Sequence, residues 1–239
     1  MMAGAFIALG AVASNVAMHQ IANVGVARFV AGAIFPVGLM LIIIVGGELF
    51  TGDCLVLMGV YDKKVHIGQL VKLLLIVFLA NFAGAICISL LVSLSGQWDY
   101  SGGALGAFTY RLAVTKSQMS VTAALCSGIL CNLMVCSAVL MALSCKSAPG
   151  KIFSVFFTIM GFVVSGFEHC VANMYYLTAG FLAGMNPSYL SKASELYGQL
   201  PELTVKNMLL GNLLWVTIGN IIGGFIIATL IYLVKENRN

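Results

Sequence analysis

A glutamate and a histidine stand side by side deep inside an apolar run, as Glu168 and His169 of the stretch SGFEHC. Residues 152–185 are otherwise apolar enough to lie in a membrane, where an ionisable side chain marks a functional position by default. A neutral imidazole donates one hydrogen bond and exchanges its proton near neutral pH. His169 is therefore predicted to contact a small polar or ionic solute, and a packed structural histidine is the alternative.

Glu168 has two possible placements, and they favour solutes of opposite charge. A carboxylate that lines a path favours cations and repels anions. We favour the second placement, in which Glu168 and Glu48 lie behind breaks in their helices, where they cap freed backbone N–H groups or orient the histidine.

A second polar interruption, GELFTG at 47–52, contains Thr51. Its hydroxyl is predicted to contact the same solute, to cap the helix that follows, or to do both. Asn132, in the middle of a later span, is predicted to donate an amide hydrogen bond to the solute or to a neighbouring helix. Lys116 precedes that span and is predicted either to add positive charge near the site or to be a solvated loop residue. Apolar side chains near the breaks are predicted to form a constriction or simply to pack; they are Phe35, Leu39, Phe50 and Phe162.

The charges around the interruptions favour an anion. Half-helix N-termini carry partial positive charge and point at each break, and His169 and Lys116 add to it. The only acidic residues within the spans are Glu48, Asp53 and Glu168, so no row of carboxylates is available to line a cation pore.

The composition places these residues in a membrane protein. Of the 239 residues, 61% are hydrophobic and 8% are charged, and the mean hydropathy is +1.04. Soluble domains carry about 25% charged residues, so a polytopic protein of the lipid bilayer is predicted. The net charge of +4 comes from Lys and Arg scattered at segment ends, which argues against a nucleic-acid partner.

Seven cysteines lie almost entirely in apolar segments, and their odd number argues against a disulfide framework. Cys126, Cys131 and Cys136 are spaced by five residues, so they do not share a helix face. No two His or Cys residues have ligand spacing on one face. We predict packing roles for the thiols and no metal, cofactor or enzymatic activity. The alternative is a membrane redox protein that binds a metal through His169 and cysteines.

Six membrane spans are predicted, since each needs about 20 apolar residues. They are 3–18, 29–60, 70–93, 121–143, 152–185 and 209–234. The second and fifth are too long for one straight crossing and contain the polar interruptions, so both are predicted to be broken helices. Residues 97–118 and 186–207 are predicted to be long polar loops.

The two halves of the chain resemble one another. Both interruptions fall in the middle span of a half, and NFAG at 81–84 matches NIIG at 220–223. Three spans per half place the second copy upside down, and paired broken helices in an inverted repeat indicate a substrate site near the midplane. We predict a single transmembrane domain over 1–239, with repeat one at about 1–96 and repeat two at about 119–235.

The distribution of positive charge predicts that both termini face the cytoplasm. The inner side then collects Lys63, Lys64, Lys72, Lys146, Lys151, Lys235 and Arg238. The outer side collects Arg28, Arg111, Lys116, Lys192 and Lys206. The bias is clearest in the short loops, where the rule applies best.

Five stretches together make the chain resemble the formate/nitrite transporter family of pentameric anion channels. They are AGAFIALG at 3–10, GELFTG at 47–52, GILCNLMVC at 128–136, SGFEH with ANM at 165–174, and NLLWVTIGN at 212–220. The resemblance implies an aquaporin-like protomer with its own pore, in keeping with an all-α membrane protein of six transmembrane helices in two inverted three-helix repeats. It also implies a homopentamer in the bacterial cytoplasmic membrane, with small monovalent anions such as formate, nitrite or hydrosulfide, and protons, as partners.

The resemblance also implies roles for single residues. His169 is similar to the central pore histidine of the family, and Thr51 to its partner on the loop that breaks the second span. Lys116 and Asn132 match the positive-field and hydrogen-bonding positions, and Glu168 the buried neighbour of the histidine. The outer hydrophobic constriction would come from Phe35 and Phe162, and the inner one from Leu39 and Phe50.

Two features depart from the family pattern. The family has an amphipathic N-terminal segment that bears on gating, and we expect such a segment to be missing from this sequence. Asp53 follows Gly52 where the family often has Asn or His, and no substrate follows from it.

The main hypothesis is that Lys116 and the helix ends concentrate an anion, which sheds water at an apolar ring and meets His169 and Thr51. A proton from His169 would let it cross the second ring as a neutral acid, because a bare anion is costly to dehydrate. The alternative is an aquaporin-like pore for neutral solutes, but the Asn-Pro-Ala pairs of that class are missing. Cysteine richness fits a reducing cell and favours formate or hydrosulfide over nitrite.

Overall fold

The computed structural model describes residues 1–236, and every regular element in that range is helical. The predicted inner-side residue Arg238 lies outside these described residues. The α-helices in chain order are α1 (Met2–Met18), α2 (Val24–Ile34), α3 (Val37–Val45), α4 (Phe50–Asp53), α5 (Leu57–Tyr61), α6 (Ile67–Leu94), α7 (Ala104–Ser117), α8 (Val121–Ser144), α9 (Ala148–Ser165), α10 (Cys170–Gly184), α11 (Pro187–Tyr197), α12 (Val205–Met208) and α13 (Leu214–Glu236). Two 3₁₀ turns, Cys54–Val56 and Gln97–Asp99, and a π-helical turn, Leu209–Leu213, complete the elements.

Several helical stretches are long and apolar enough to cross a membrane. Within the described range they are Val24–Val45, Ile67–Leu94, Val121–Ser144, Ala148–Ser165 and Val205–Lys235. The helix α1 is also apolar but has only 17 residues. Each long stretch overlaps a predicted span, and the prediction of an all-α membrane protein is confirmed.

Both over-long spans are broken, as predicted. In the second span, α3 ends at Val45, and Gly46 follows with a φ of +106°, which favours glycine; no regular structure follows until α4 begins after Leu49. In the fifth span, α9 ends at Ser165, Gly166 follows with a φ of +71°, and α10 begins only after His169. A further turn at Phe35–Pro36 separates α2 from α3.

The prediction that 97–118 and 186–207 are loops is wrong in part, because each region contains a helix. The first contains α7 and the second α11. Ala113 on the buried side of α7 packs directly against Gly180 of α10. The mixed composition of the first region is typical of a loop, and only the packing of α7 on α10 identifies its small and apolar residues as a buried face.

Close packing of small residues joins the helices in matching pairs. Gly4 of α1 lies against the backbone of Asn81 in α6, and Gly128 of α8 lies against the backbone of Val216 and Gly219 in α13. A side chain at Gly4 or Gly128 would push the two backbones apart. The first and last helices of each half, α1 with α6 and α8 with α13, are therefore held together in the same way, by glycines packed on backbone.

Candidate functional site

The first break is held by an asparagine from α6. The Oδ1 of Asn81 accepts a hydrogen bond from the Phe50 N–H at 3.1 Å, and its Nδ2 donates to the Glu48 carbonyl at 3.0 Å. Unpaired backbone groups are costly at membrane depth, so a broken helix persists only where such partners exist. Asn81 therefore stabilises the interruption between α3 and α4.

The second break is held in the same way by α13. The Oδ1 of Asn220 accepts from the Cys170 N–H at 2.8 Å, and its Nδ2 donates to the Glu168 carbonyl at 3.0 Å. The same Nδ2 also donates to the Gly128 carbonyl of α8 at 2.8 Å. Each asparagine thus donates to the carbonyl of a glutamate and accepts from the N–H two residues later. Glu48 therefore corresponds to Glu168, and Phe50 to Cys170.

Replacing Asn220 with alanine should destabilise the protein more than replacing Asn81. The first variant removes three hydrogen bonds to backbone groups, whereas the second removes two. Each orphaned buried group costs about 1–3 kcal/mol, so Asn220→Ala is expected to lose at least about 1 kcal/mol more. Thermal unfolding of both variants in the same detergent measures the difference. Equal losses would contradict this account of the breaks.

His169 lies at the second break and is only 3% exposed. It is the N-cap residue of α10, and the Ala172 N–H donates to its Nδ1 at 3.1 Å. Because a backbone N–H can only donate, Nδ1 is unprotonated, and a neutral ring carries its hydrogen on Nε2. Nε2 lies 2.9 Å from the Thr51 Oγ1, so the ring donates to the threonine.

Thr51 lies in the first turn of α4 but does not cap it, because Leu49 is the N-cap residue. The capping alternative for Thr51 is therefore wrong. Since its oxygen accepts the hydrogen of His169, the hydroxyl hydrogen of Thr51 remains available to a second acceptor. The register of the breaks also makes Leu49 the counterpart of His169, which the sequence reasoning missed. The glutamate that precedes each of them in the chain is the signal that identifies the pair.

Glu168 forms a buried ion pair. Its Oε1 accepts from the Lys116 Nζ at 2.7 Å, and the side chains of Lys116 and Glu168 are 13% and 8% exposed. Its Oε2 accepts from Asn173 at 2.6 Å and from Asn212 at 3.4 Å. The carboxylate neither caps backbone N–H groups nor bonds to His169, so both predicted roles are wrong. Lys116, at the C-terminal end of α7, is paired and not a solvated loop residue.

A cavity of about 640 Å³, which we name the vestibule, opens beside the second break. It is lined by the loop between α1 and α2 and by the cationic side chains of Arg28, Arg111 and Lys116. Glu168 lines it as well, so the predicted placement of this carboxylate behind the break is wrong. The Arg28 guanidinium lies against the backbone of Gly166. Three of the cations predicted for the outer side of the membrane therefore share one cavity.

An aromatic pair separates the vestibule from a second, much smaller cavity. Phe35 and Phe162 line both spaces, and their rings meet edge to face with centroids 5.7 Å apart. The small cavity measures about 10 Å³, close to the least volume that holds one water. Leu39 and Leu49 line it together with His169, which also reaches the vestibule. Phe35, Phe162 and His169 thus line both spaces and form the boundary between the vestibule and the small cavity.

Four predicted residues line neither cavity, and one of them is Thr51, which is fully buried and contacts His169. Asn132 is fully buried, and its Nδ2 donates to backbone carbonyls of α4 at 3.2 Å and of α13 at 2.6 Å, which is the interhelical alternative. Phe50 packs edge to face on Phe78, with centroids 5.2 Å apart. Glu48, predicted to lie behind the first break, is exposed on the surface of the single protomer.

The cysteines are free thiols in the described part of the chain. Cys131 and Cys136 are buried whereas Cys126 is exposed, so Cys126 lies on another face of α8. The Cys136 Sγ donates to the Thr51 carbonyl at 3.3 Å. Within residues 1–236, no group of three or more His, Cys, Asp or Glu side chains could hold a metal ion.

The chain is similar to known proteins in both sequence and structure. Residues 1–234 match the protein family described as formate/nitrite transporter. The chain is 37% identical over 218 residues to the formate channel FocA of Escherichia coli (strain K12), which covers 89% of this chain and 76% of that relative. It is 33% identical over 250 residues to a probable formate transporter of Methanothermobacter thermautotrophicus, which covers 97% of this chain and 85% of that relative.

Two solved structures are also similar. One is described as a pentameric formate channel with formate bound, with a TM-score of 0.86, 28% identity, and coverage of 98% of this chain and 93% of the other. The second is described as an FNT family ion channel, with a TM-score of 0.82, 29% identity, and coverage of 98% and 87%. Both similarities extend over nearly the whole chain.

Proposed function

The chain belongs to the formate/nitrite transporter family, and we propose that it is a channel for small monovalent anions across the cytoplasmic membrane, with formate as the first candidate. Relatives named as formate channels support this choice of anion. Hydrosulfide and nitrite belong to the same proposal because they have the same charge as formate and are similarly small. The observation that carries it is the cationic vestibule, whose boundary with a small apolar cavity is formed by Phe35, Phe162 and His169.

Cationic side chains of the vestibule would concentrate the anion at the entrance, as a cleft lined by one sign of charge does. Lys116 adds little net field, because Glu168 neutralises it at 2.7 Å. The excess positive charge comes from Arg28 and from Arg111, whose guanidinium lies 4.4 Å from the Tyr197 ring centroid. We therefore assign the attraction mainly to the two arginines, on the side that the charge bias places outside.

Neutralisation of the anion would ease its passage beyond Phe35 and Phe162. A bare anion that leaves water for an apolar space is strongly destabilised. The Nε2–H of His169 is held by the Thr51 hydroxyl at 2.9 Å; turned to the anion instead, it would replace part of the lost hydration. Full proton transfer would let the solute cross as a neutral acid.

Proton transfer from His169 has a structural requirement. A neutral imidazole must first gain a second proton, at Nδ1, before it can give its Nε2 proton to the anion and return to neutrality. Nδ1 accepts the Ala172 N–H, so this bond must open during the cycle. We propose that proton coupling proceeds through this opened state and that the neutral ring only holds the anion by a hydrogen bond.

We also propose that five copies assemble, in line with the solved relative described as pentameric. Glu48 gives a physical reason for assembly. It is exposed on the single protomer next to a break that should lie at membrane depth, and a carboxylate facing lipid there is costly. A neighbouring protomer or enclosed water would remove that contact.

Flux measurements in proteoliposomes test the proposal. Purified protein should raise the permeability of the vesicles to formate, nitrite or hydrosulfide well above that of protein-free vesicles. The rate of anion uptake should be higher at acidic pH. Stopped-flow light scattering on the same vesicles measures water permeability. Water flow without anion flow would reject the anion channel and favour the aquaporin-like pore for neutral solutes.

A further inference from the structure

Buried polar atoms without a partner are concentrated in the vestibule. Among the described residues, four buried side-chain atoms lack a hydrogen-bond partner, and three of them are the Nδ2 and Oδ1 of Asn15 and the Oδ1 of Asn173. Both residues line the vestibule. Orphaned buried polar groups are rare in folded proteins, and each calls for a solute, a water or a functional role.

Asn15 is the less easily explained of the two. It is 3% exposed, lies on the apolar helix α1, and uses neither end of its amide. Its neighbour Ser14 is also buried, but the Ser14 hydroxyl donates to the Ala31 carbonyl at 3.1 Å. Ser14 lines the vestibule too, so a polar side chain on this wall can find a protein partner, and of the two neighbours only Asn15 is left without one.

Asn173 presents an acceptor to the same cavity. Its Nδ2 donates to Glu168 and to Asn212, so the amide orientation is set and only Oδ1 is free. The vestibule therefore offers one free amide donor and two free carbonyl acceptors, in a cavity that Arg28 also lines. This set complements a hydrated small anion, whose oxygens accept and whose waters donate.

We propose that Asn15 and the Oδ1 of Asn173 form an outer docking site for the transported anion and its last waters. This proposal rests on the proposed function and adds a second binding position for the anion, besides His169. Phe35 and Phe162 line the same cavity as Asn15, so an anion held at Asn15 lies in the space that the aromatic pair bounds. A neutral amide binds an anion less strongly than a cationic side chain does. A site in a pore must bind weakly enough to release the anion again.

The concentration dependence of formate flux in proteoliposomes tests the site. Asn15→Leu removes the amide oxygen and nitrogen and keeps the branched shape with the same number of side-chain heavy atoms. The half-saturating formate concentration should therefore rise about tenfold, as expected for one lost hydrogen bond to a charged group. The maximal rate should change by less than about twofold, because the aromatic pair and His169 are untouched. Asn15→Ser keeps a donor and an acceptor and should restore much of the affinity.

Two further variants separate docking from a structural role. Ser14→Ala, on the same helix turn, should leave the half-saturating concentration unchanged. Asn15→Asp keeps the shape but repels the anion, and it should raise that concentration at least as much as leucine does. An unchanged half-saturating concentration in Asn15→Leu and Asn15→Asp would overturn the docking site and leave the amide as a water ligand. Absence of formate flux in the unmodified protein would instead reject the proposed function.

Discussion

Formate flux through a His169→Asn variant is expected to persist but to lose its dependence on pH. Asparagine is a favoured N-cap residue, so its Oδ1 can accept the Ala172 N–H that Nδ1 accepts in the parent. The amide can also donate towards Thr51, but it cannot exchange a proton near neutral pH. The variant therefore keeps the second break and removes only the imidazole chemistry.

The measurement is the rate of formate uptake into proteoliposomes between pH 5 and pH 8. The parent should transport fastest at the acidic end, because protonation of an imidazole is favoured there. The variant should vary by less than about twofold over the same range. His66→Asn is the matched control, since His66 is also the N-cap residue of a helix but lines neither cavity. A variant with the pH profile of the parent would exclude His169 as the proton carrier.

Neutralising Lys116 alone is expected to be the most destabilising change at the site. Lys116→Met leaves the Glu168 carboxylate with only asparagine amides as partners in a buried place. Removal of one member of a buried ion pair costs about 3–5 kcal/mol, because the remaining charge is uncompensated. The midpoint of thermal unfolding should fall by on the order of 10 °C.

A double variant isolates the charge effect. Lys116→Met combined with Glu168→Gln buries no net charge and should recover most of the lost stability. Lys192→Met is the control, because Lys192 and Glu195 form an exposed pair at 3.0 Å, and exposed pairs contribute almost nothing. If the double variant melted as low as Lys116→Met, the loss would come from packing of the lysine stem and the ion-pair account would be wrong.

Local composition was sufficient to predict the membrane fold and its interruptions. Apolar runs of about 20 residues follow from the thickness of the bilayer, and glycine with polar neighbours inside such a run predicts a break. Gly166 and His169 were placed at the second break for this reason, and the first break begins at Gly46, directly before the predicted interruption at 47–52. The matching asparagines Asn81 and Asn220 were found as a repeated motif, but their hydrogen bonds to the breaks were not.

Contacts between side chains that are far apart in the chain could not be predicted from the sequence. The prediction placed Glu168 behind its own break and Lys116 in a loop, whereas folding brings α7 over α10 and joins the two, 52 residues apart in the chain. Asn132 donates to backbone carbonyls of other helices, and Phe50 packs on Phe78, so neither side chain lines a cavity.

The sequence by itself therefore determined that this protein is an all-helical membrane protein with two broken helices and a histidine at one break. Those features depend on residues that are neighbours in the chain. Only the tertiary structure decided which polar groups satisfy one another and which, like the amide of Asn15, are left facing the vestibule. Helical periodicity tells which residues share a face of a helix, but the partner that meets each face depends on how the helices cross.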